Sequence, residues 1–270
     1  MLFFLARITN SVRKNNLTLI IFFMKKALFA LAAVPATLAV SFNSAAQTNL
    51  QTFYDFGRGY ATTTIEMFKA DNWGDTFFFV DHYYATDAQR KNDGSGSAIN
   101  GSYFEIERKL NFWQDTALGA LSAMVEYDGA TWGAGVFCFG ASYFLHSADY
   151  RNTFSLSLLY DKHVGFGSAT TPVKFSGVWG MKDLFGVKGL NFSGFVDVWG
   201  NDQTIANPDD VLHPYETKFS VLSEPQLWYN VGQFFGCENL LIGGEIELSF
   251  NFAGVRGFAC NPCLGTKWIF

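Results

Sequence analysis

The sequence has little charge and little proline, and these shortages exclude several classes of protein. Only 16% of its 270 residues are charged and 6 are proline, while 49% are hydrophobic and 18% aromatic. A globular domain usually carries about a quarter charged residues, and a disordered chain needs low hydrophobicity. The net charge is −5, with no run of more than two Lys or Arg. This balance argues against a nucleic-acid partner.

Long apolar runs are missing beyond residue 46. No segment there offers the roughly 18 consecutive apolar residues that a transmembrane helix needs, so a helical membrane protein is excluded. Before that point, the chain from Met24 has two lysines, an apolar segment and small residues ending at Ala46. This order is typical of a secretory signal peptide. A transmembrane helix is the alternative, but the apolar segment is short and contains Pro35.

We therefore expect a three-part chain. Removal of the leader would take away five basic residues and no acidic one, which leaves 14 basic and 24 acidic residues. The exported protein would be distinctly acidic. The expected parts are a mis-assigned extension at 1–23, a signal peptide at 24–46 and the mature protein at 47–270.

The mature region alternates between polar and apolar residues with a period of two, the pattern of a β-strand. In 240–252 one face is apolar throughout, while Glu245, Glu247, Ser249 and Asn251 lie on the other face. Twelve such segments follow one another, separated by Gly, Asn, Asp and Ser. They are 48–57, 60–69, 75–86, 98–110, 116–128, 133–144, 152–163, 172–181, 189–200, 215–229, 240–252 and 260–270.

This repeated pattern predicts an all-β fold, a transmembrane antiparallel β-barrel of about 12 strands of the outer-membrane type. The polar faces carry too many carboxylates for a soluble sandwich, whose inner faces are apolar. Aromatic residues near the segment ends suit the girdles at the membrane interfaces; they are Trp73, His82, Tyr84, Trp113, Trp132, Tyr143 and Trp268. The chain ends on Phe270 in an alternating strand, which resembles the signal that the barrel-assembly machinery reads.

Four stretches resemble the Tsx-like nucleoside-specific channel-forming outer-membrane proteins, and more closely an uncharacterised Bacteroidetes branch of that superfamily. They are TFYDFG at 52–57, the segment 62–84 with its WGD-aromatic hairpin at 73–81, LSEPQLWYN at 222–230 and TKWIF at 266–270. The resemblance implies a twelve-stranded, monomeric, narrow channel that passes nucleosides across the bacterial outer membrane.

The polar faces of the strands predict the lining of the lumen. Aromatic rings there can stack a flat base, carboxylates can accept hydrogen bonds from sugar hydroxyls, and an acidic excess opposes anions. Lys174, Lys218 and Lys267 are also expected to face inward. We predict that the substrate-binding residues are Phe53, Asp55, Glu66, Asp75, Phe77, Phe79 and Asp81.

Two alternatives to a passive channel remain open. A structural or receptor-type barrel would have no open pore, and its inward rings would only fill space. A barrel lipid hydrolase would need a His with a Ser nucleophile and an orienting group. None of His82, His146, His163 and His213 lies in a sequence pattern of that kind, so we expect no enzyme and no catalytic residues.

The four cysteines give a weak signal. Cys260 and Cys263 could form a small bridge or bind a metal, whereas the expected positions of Cys138 within a strand and Cys237 in a turn argue against pairing of these two. We predict no metal site and no cofactor. The expected partners are outer-membrane lipid, a small nucleoside-like solute and the barrel-assembly machinery.

Overall fold

The computed structural model describes residues 46–93, 98–131 and 133–270. The predicted extension at 1–23 and almost all of the predicted signal peptide at 24–46 lie outside the described residues, as does the predicted girdle residue Trp132. No helix in the described ranges is long and apolar enough to cross a membrane.

The described chain is built almost wholly of antiparallel strands. One helix, α1 (Asp87–Asp93), lies in the connection after the third strand. Two short 3-10 turns lie at Leu184–Gly186 and Gly232–Phe235. The strands are β1 (Gln47–Asp55), β2 (Tyr60–Asp71), β3 (Gly74–Tyr84), β4 (Ile99–Leu110), β5 (Leu121–Ala130), β6 (Gly135–His146), β7 (Asn152–His163), β8 (Val173–Met181), β9 (Leu190–Ile205), β10 (Tyr215–Ser223), β11 (Gln226–Asn230), β12 (Leu240–Phe252) and β13 (Val255–Ile269).

The sheet closes on itself. Except for β10 and β11, each strand pairs with the next along the chain, and β13 returns to pair with β1 from Asn49 opposite Ile269 to Asp55 opposite Cys263. β10 and β11 both lie between β9 and β12, so they are two segments of one interrupted strand. The protein is therefore a closed twelve-stranded antiparallel β-barrel, and the predicted fold class is confirmed.

Proline causes the interruption between β10 and β11. Pro225 has no N–H to donate to a neighbouring strand, yet its carbonyl still accepts the Ile246 N–H at 3.1 Å. The Glu224 N–H donates to Phe195 O at 3.2 Å. Opposite the break, Gly194 leaves room for the displaced backbone, because a Cβ there would lie 2.5 Å from Glu224 O and 2.7 Å from Trp179 Cζ2.

The strand period of two separates an inner from an outer surface. On β1, residues 49, 51, 53 and 55 are buried, while Thr52 and Tyr54 are exposed. The same alternation places Lys174 and Lys267 inside, as predicted. Lys218 was expected inside and is not: a bulge between Thr217 and Phe219 shifts the phase of β10, and the Lys218 side chain is 63% exposed.

The outer surface is apolar in its middle and charged only near strand ends. Large hydrophobic residues such as Phe139, Leu158 and Ile246 are exposed there. The outward-facing charged residues of the described strands all lie within four positions of a strand end; they are Lys69, Asp71, Arg108, Lys162, Asp202, Glu216, Lys218 and Arg256. An apolar band around a barrel with a polar interior is the arrangement that fits a lipid bilayer.

The strand positions agree with the sequence predictions except at a few ends. The fifth strand begins at Leu121 rather than 116, because residues 112–120 form turns. The last strand begins at Val255 rather than 260, and β9 continues to Ile205 through a segment predicted as loop. Long external loops alternating with short periplasmic turns, as in many outer-membrane barrels, are not seen here, since the connections 111–120 and 231–239 are as long as 206–214.

We expect Gly194→Ala to destabilise the barrel by about 1–3 kcal/mol, the usual cost of overpacking, because the new methyl group would clash with the backbone at Glu224. Urea unfolding in detergent micelles measures this. Gly177→Ala on the adjacent strand β8 is the control, because its nearest neighbour is Val196 Cγ1 at 3.3 Å. Equal stability of the two variants would contradict a tight crossing at Gly194.

Candidate functional site

Carboxylic acids line the interior of the barrel. Among the residues that the structure describes, twelve Asp and Glu side chains are buried there, together with two lysines, Lys174 and Lys267. Arg58 and Lys109 reach the same space with side chains that are 14% and 13% exposed. Buried charges need partners. The carboxylates that lack a partner are therefore the ones available to bind a solute or an ion. The acids are Asp55, Glu66, Asp81, Glu105, Glu107, Glu126, Asp128, Asp161, Asp197, Glu224, Glu245 and Glu247.

Lys174 on β8 organises one group of these acids. Its Nζ lies 2.7 Å from Glu126 Oε1 and 3.2 Å from Asp197 Oδ2. Lys109 on β4 lies 2.7 Å from Glu107 Oε2 and 3.6 Å from an oxygen of Asp75. The two lysines contact four acids directly, and Glu105, Asp128 and Asp161 lie beside these acids. We call this group the Lys174 cluster; it comprises Asp75, Glu105, Glu107, Lys109, Glu126, Asp128, Asp161, Lys174 and Asp197.

Arg58 ties together the end of the barrel opposite the chain termini. It lies in the turn between β1 and β2, and its Nε is 2.9 Å from Asp55 Oδ2. One guanidinium nitrogen donates to Tyr60 Oη at 3.0 Å, and another pairs with Glu247 on β12. Asn261 on β13 donates to the same Glu247 carboxylate at 2.9 Å. One turn residue therefore joins four strands.

Amide side chains hold the acids on the wall where the barrel closes. Asn49 donates to Glu66 Oε2 at 2.8 Å, and Gln226 donates to Glu245 Oε2 at 2.8 Å. Gln226 also accepts a hydrogen bond from Trp228 Nε1 at 2.8 Å. The ammonium of Lys267 lies 4.5 Å from the Trp228 ring centre, a cation–π contact.

Aromatic rings form a second feature of the lumen. Phe77 and Phe79 lie 6.0 Å apart, and Phe79 lies 5.7 Å from Tyr103 on the next strand. These rings belong to a buried cluster that also contains Phe195 and Trp199. A tilted row of rings beside carboxylates offers both an apolar face and hydrogen-bond acceptors.

All seven predicted site residues face the lumen, but they do not meet in one slot. Phe77 and Phe79 lie in the large aromatic cluster, whereas Phe53 packs on Trp228 at 5.6 Å in a separate one. Asp75 is the least buried, with a side chain 27% exposed. The predicted residues therefore mark a lining rather than a single pocket.

The remaining predicted acids are held by local partners. Asp55 is paired with Arg58, and Glu66 accepts from Asn49. Asp81 accepts from Thr64 Oγ1 at 2.5 Å and from Tyr83 Oη at 3.2 Å. Each contact joins neighbouring strands or nearby positions, so these acids also brace the barrel wall.

Sequence reasoning missed Arg58 and Glu224. Arg58 lies in a turn, where the alternation of a strand gives no inward or outward assignment. Glu224 lies at the break before Pro225, yet it is fully buried and neither of its carboxylate oxygens accepts a hydrogen bond. The Glu-Pro pair within a predicted strand was the available signal for a strand break with an inward acid.

The lumen is tightly packed at the Lys174 cluster. Next to the Lys174 cluster lies a cavity of about 10 Å³, lined by the following residues: Asp128, Val136, Asp161, Lys174, Asp197 and Trp199. A cavity of about 10–15 Å³ holds one water molecule. Side chains therefore fill this part of the bore, and a solute could pass only after they move.

Comparison with protein families gives one match. A family model described as "Domain of unknown function (DUF5020)" covers residues 46–270. The chain belongs to this family. No curated protein matches the sequence.

Several solved structures are similar to this DUF5020 barrel at low identity. OprB of Pseudomonas putida is 11% identical with a TM-score of 0.40; the match covers 78% of this chain, which spans only 59% of OprB. The COG4313 outer membrane channel of Pseudomonas putida F1 is 9% identical with a TM-score of 0.43, over 86% of this chain and 98% of that one. OccAB2 of Acinetobacter baumannii is 10% identical with a TM-score of 0.35, over 83% and 96% of the two chains.

The four cysteines of the DUF5020 barrel are free thiols. Cys263 faces the lumen side of β13, whereas Cys260 is exposed on the outer face. Residues three apart on a strand point to opposite faces, so the bridge or metal site considered for this C-x-x-C pair is wrong.

The structure also brings a histidine and a serine together that sequence spacing did not pair. His82 Nδ1 lies 2.7 Å from Ser102 Oγ, across β3 and β4 on the outer face. The Ser102 backbone N–H already donates to Thr131 Oγ1 at 3.0 Å.

Lys174→Met should destabilise the barrel by about 3–5 kcal/mol, because removing one partner leaves buried charges uncompensated. Glu126 and Asp197 would lose their shared cation. Urea unfolding in detergent micelles measures the change. The control is Lys218→Met, because Lys218 forms an exposed ion pair with Asp202 at 3.4 Å. Loss of this pair should change the free energy of unfolding by no more than about 0.5 kcal/mol. Similar losses in both variants would contradict the central role of Lys174.

Proposed function

We propose that the protein is a passive, substrate-selective channel of the bacterial outer membrane for small neutral solutes, with nucleosides as the first candidates. The observation that carries the proposal is the lining of the lumen: rings and unexposed carboxylates face inward in a closed barrel whose outside is apolar. The protein would act as a monomer without a cofactor, after export by the signal peptide at 24–46 and insertion by the barrel-assembly machinery, which would recognise Phe270.

The charge of the lining favours some solutes over others. Twelve buried acids outnumber the four basic groups that reach the lumen. A pore lined by one sign of charge repels ions of that sign, so phosphorylated solutes and other anions would be excluded. Neutral solutes with hydroxyl groups could still donate hydrogen bonds to the carboxylates.

The rings favour a solute with a flat face. Stacking of a base on an aromatic side chain contributes about 1–3 kcal/mol, and Phe77, Phe79 and Tyr103 offer neighbouring rings near acids. The sequence resemblance to the Tsx-like channels is the reason that nucleosides come first among such solutes.

A closed structural or receptor-type barrel is the second candidate. The packing favours it, because Phe79, Asp81, Glu105 and Phe195 have no exposed surface. For a channel, the same packing describes a closed state that must open. Arg58 is the residue best placed to control opening, since it joins the turn after β1 to Glu247 on β12.

Liposome swelling separates the candidates. Vesicles that contain the purified barrel should swell faster in nucleosides than in sugars of similar size, and should barely respond to nucleotides, because the acidic lining repels phosphate. Equal swelling rates in nucleosides and sugars would contradict the proposed preference for nucleosides. Absence of swelling in every solute would favour the closed barrel.

The role of the aromatic lining can be tested in the same liposome-swelling assay with a matched control variant. The double variant Phe77→Ala with Phe79→Ala should reduce the preference for nucleosides over sugars about 5–10-fold, since a stacking loss of 1.4 kcal/mol is a factor of ten. The control is Phe78→Ala. Phe78 lies between Phe77 and Phe79 in the sequence, but its ring faces outward and packs against Phe104. Its selectivity should stay unchanged, and heat-modifiable migration on a gel would report folding.

Arg58→Ala should raise the swelling rate severalfold, because the turn would lose its contacts to Asp55, Tyr60 and Glu247. Removal of one positive charge should also increase the preference for cations over anions. Arg90→Ala is the control, because Arg90 pairs with Asp87 in the exposed helix α1. A rate for Arg58→Ala that matches wild type would rule out the turn as a gate.

A further inference from the structure

Four acids of the Lys174 cluster lie on two paired strands. Glu105 on β4 is opposite Asp128 on β5, and Glu107 is opposite Glu126. All four face the lumen and are buried. Like charges directly opposite each other on paired strands repel, so two such pairs in succession require a compensating charge.

The neighbouring donors satisfy only part of this group. Tyr103 donates to Glu105 Oε2 at 3.1 Å, Lys109 donates to Glu107 Oε2 at 2.7 Å, and Lys174 donates to Glu126 Oε1 at 2.7 Å. The other oxygens remain: Glu105 Oε1, Glu126 Oε2 and Asp128 Oδ1 are buried and accept no hydrogen bond. Buried oxygens without a donor are costly.

The four acids form two overlapping groups that share Glu126. Each of Glu105, Glu107 and Glu126 offers a carboxylate oxygen, and the three atoms lie within 4.8 Å of one another. Asp128 and Glu126 meet the same limit together with Cys138 Sγ. Calcium binds oxygens at about 2.3–2.6 Å, so two of its ligands can lie up to about 5 Å apart. The spacing of Glu105, Glu107 and Glu126 therefore suits a single ion, and Glu126, which belongs to both groups, places Asp128 beside that ion.

We propose that Glu105, Glu107, Glu126 and Asp128 bind one calcium ion inside the barrel. Carboxylate oxygens are hard ligands that suit calcium, and calcium tolerates irregular coordination better than magnesium does. The charges also favour a cation, because the Lys174 cluster holds seven acids against two lysines. The bound ion would cross-link β4 and β5, and this role does not depend on the proposed transport.

Calcium titration of the whole purified barrel tests the site. After treatment with a chelator, isothermal titration calorimetry in detergent should show saturable binding of one calcium ion per chain, with magnesium binding more weakly. Asp128→Asn should weaken calcium binding about tenfold or more, because affinity follows the charge of the ligand set. This substitution leaves the lysine contacts intact, since Asp128 takes no part in them.

Glu224→Gln is the matched control. Glu224 is also a buried lumenal acid whose oxygens accept no hydrogen bond, but it lies at the break between β10 and β11. Removal of the negative charge of Glu224 should change calcium affinity by less than about twofold, as expected for an independent site. If Asp128→Asn does not fold into a heat-modifiable barrel, Glu105→Gln replaces it.

Three results would overturn the proposal. One is the absence of saturable calcium binding to the wild-type barrel. Another is a loss of affinity in Glu224→Gln as large as in Asp128→Asn, which would mean that only the total charge of the lumen matters. The third is magnesium binding as tight as calcium binding. An unfolding temperature that rises with calcium in wild type but not in Asp128→Asn would support the site independently.

Discussion

The need to satisfy every backbone N–H and C=O without water governs this protein. In a bilayer an open sheet edge would leave a row of unpaired polar groups, so a sheet that spans must close. Here β13 closes on β1 through an unbroken run of pairs. Closure gives each strand an outside that faces lipid and an inside that faces the other strands. The alternation of the sequence is the direct result.

Closure also creates the electrostatic problem of the interior. Once apolar residues occupy the outer face, the polar residues of the same strands must point inward, where their charges are shielded from bulk water. Lys174, Lys109 and Arg58 each contact two acids. Amides such as Asn49 and Gln226 hold others. The pairing is incomplete, and the remaining carboxylate oxygens underlie both the proposed selectivity of the lumen and the proposed calcium site.

Much of the fold was predictable from sequence because outer-membrane strands repeat one simple pattern. β7 and β12 have the predicted bounds, and the inward positions of Phe77, Phe79 and Asp81 follow from the period of two. The errors occur where that period is interrupted. The bulge beside Lys218 reverses the faces within β10, and β9 extends past the end that its composition suggested because β10 supplies it with a partner.

The candidate site was predictable only as a lining. Within uninterrupted strands the sequence alone determined which residues face the lumen, because side chains alternate along such a strand whatever its neighbours are. Tertiary structure decided which of them meet. Arg58 contacts Glu247 because the barrel closes, and Glu105 lies opposite Asp128 because of the register between β4 and β5. Register and closure depend on hydrogen bonds between distant segments, and a local pattern carries no information about those bonds.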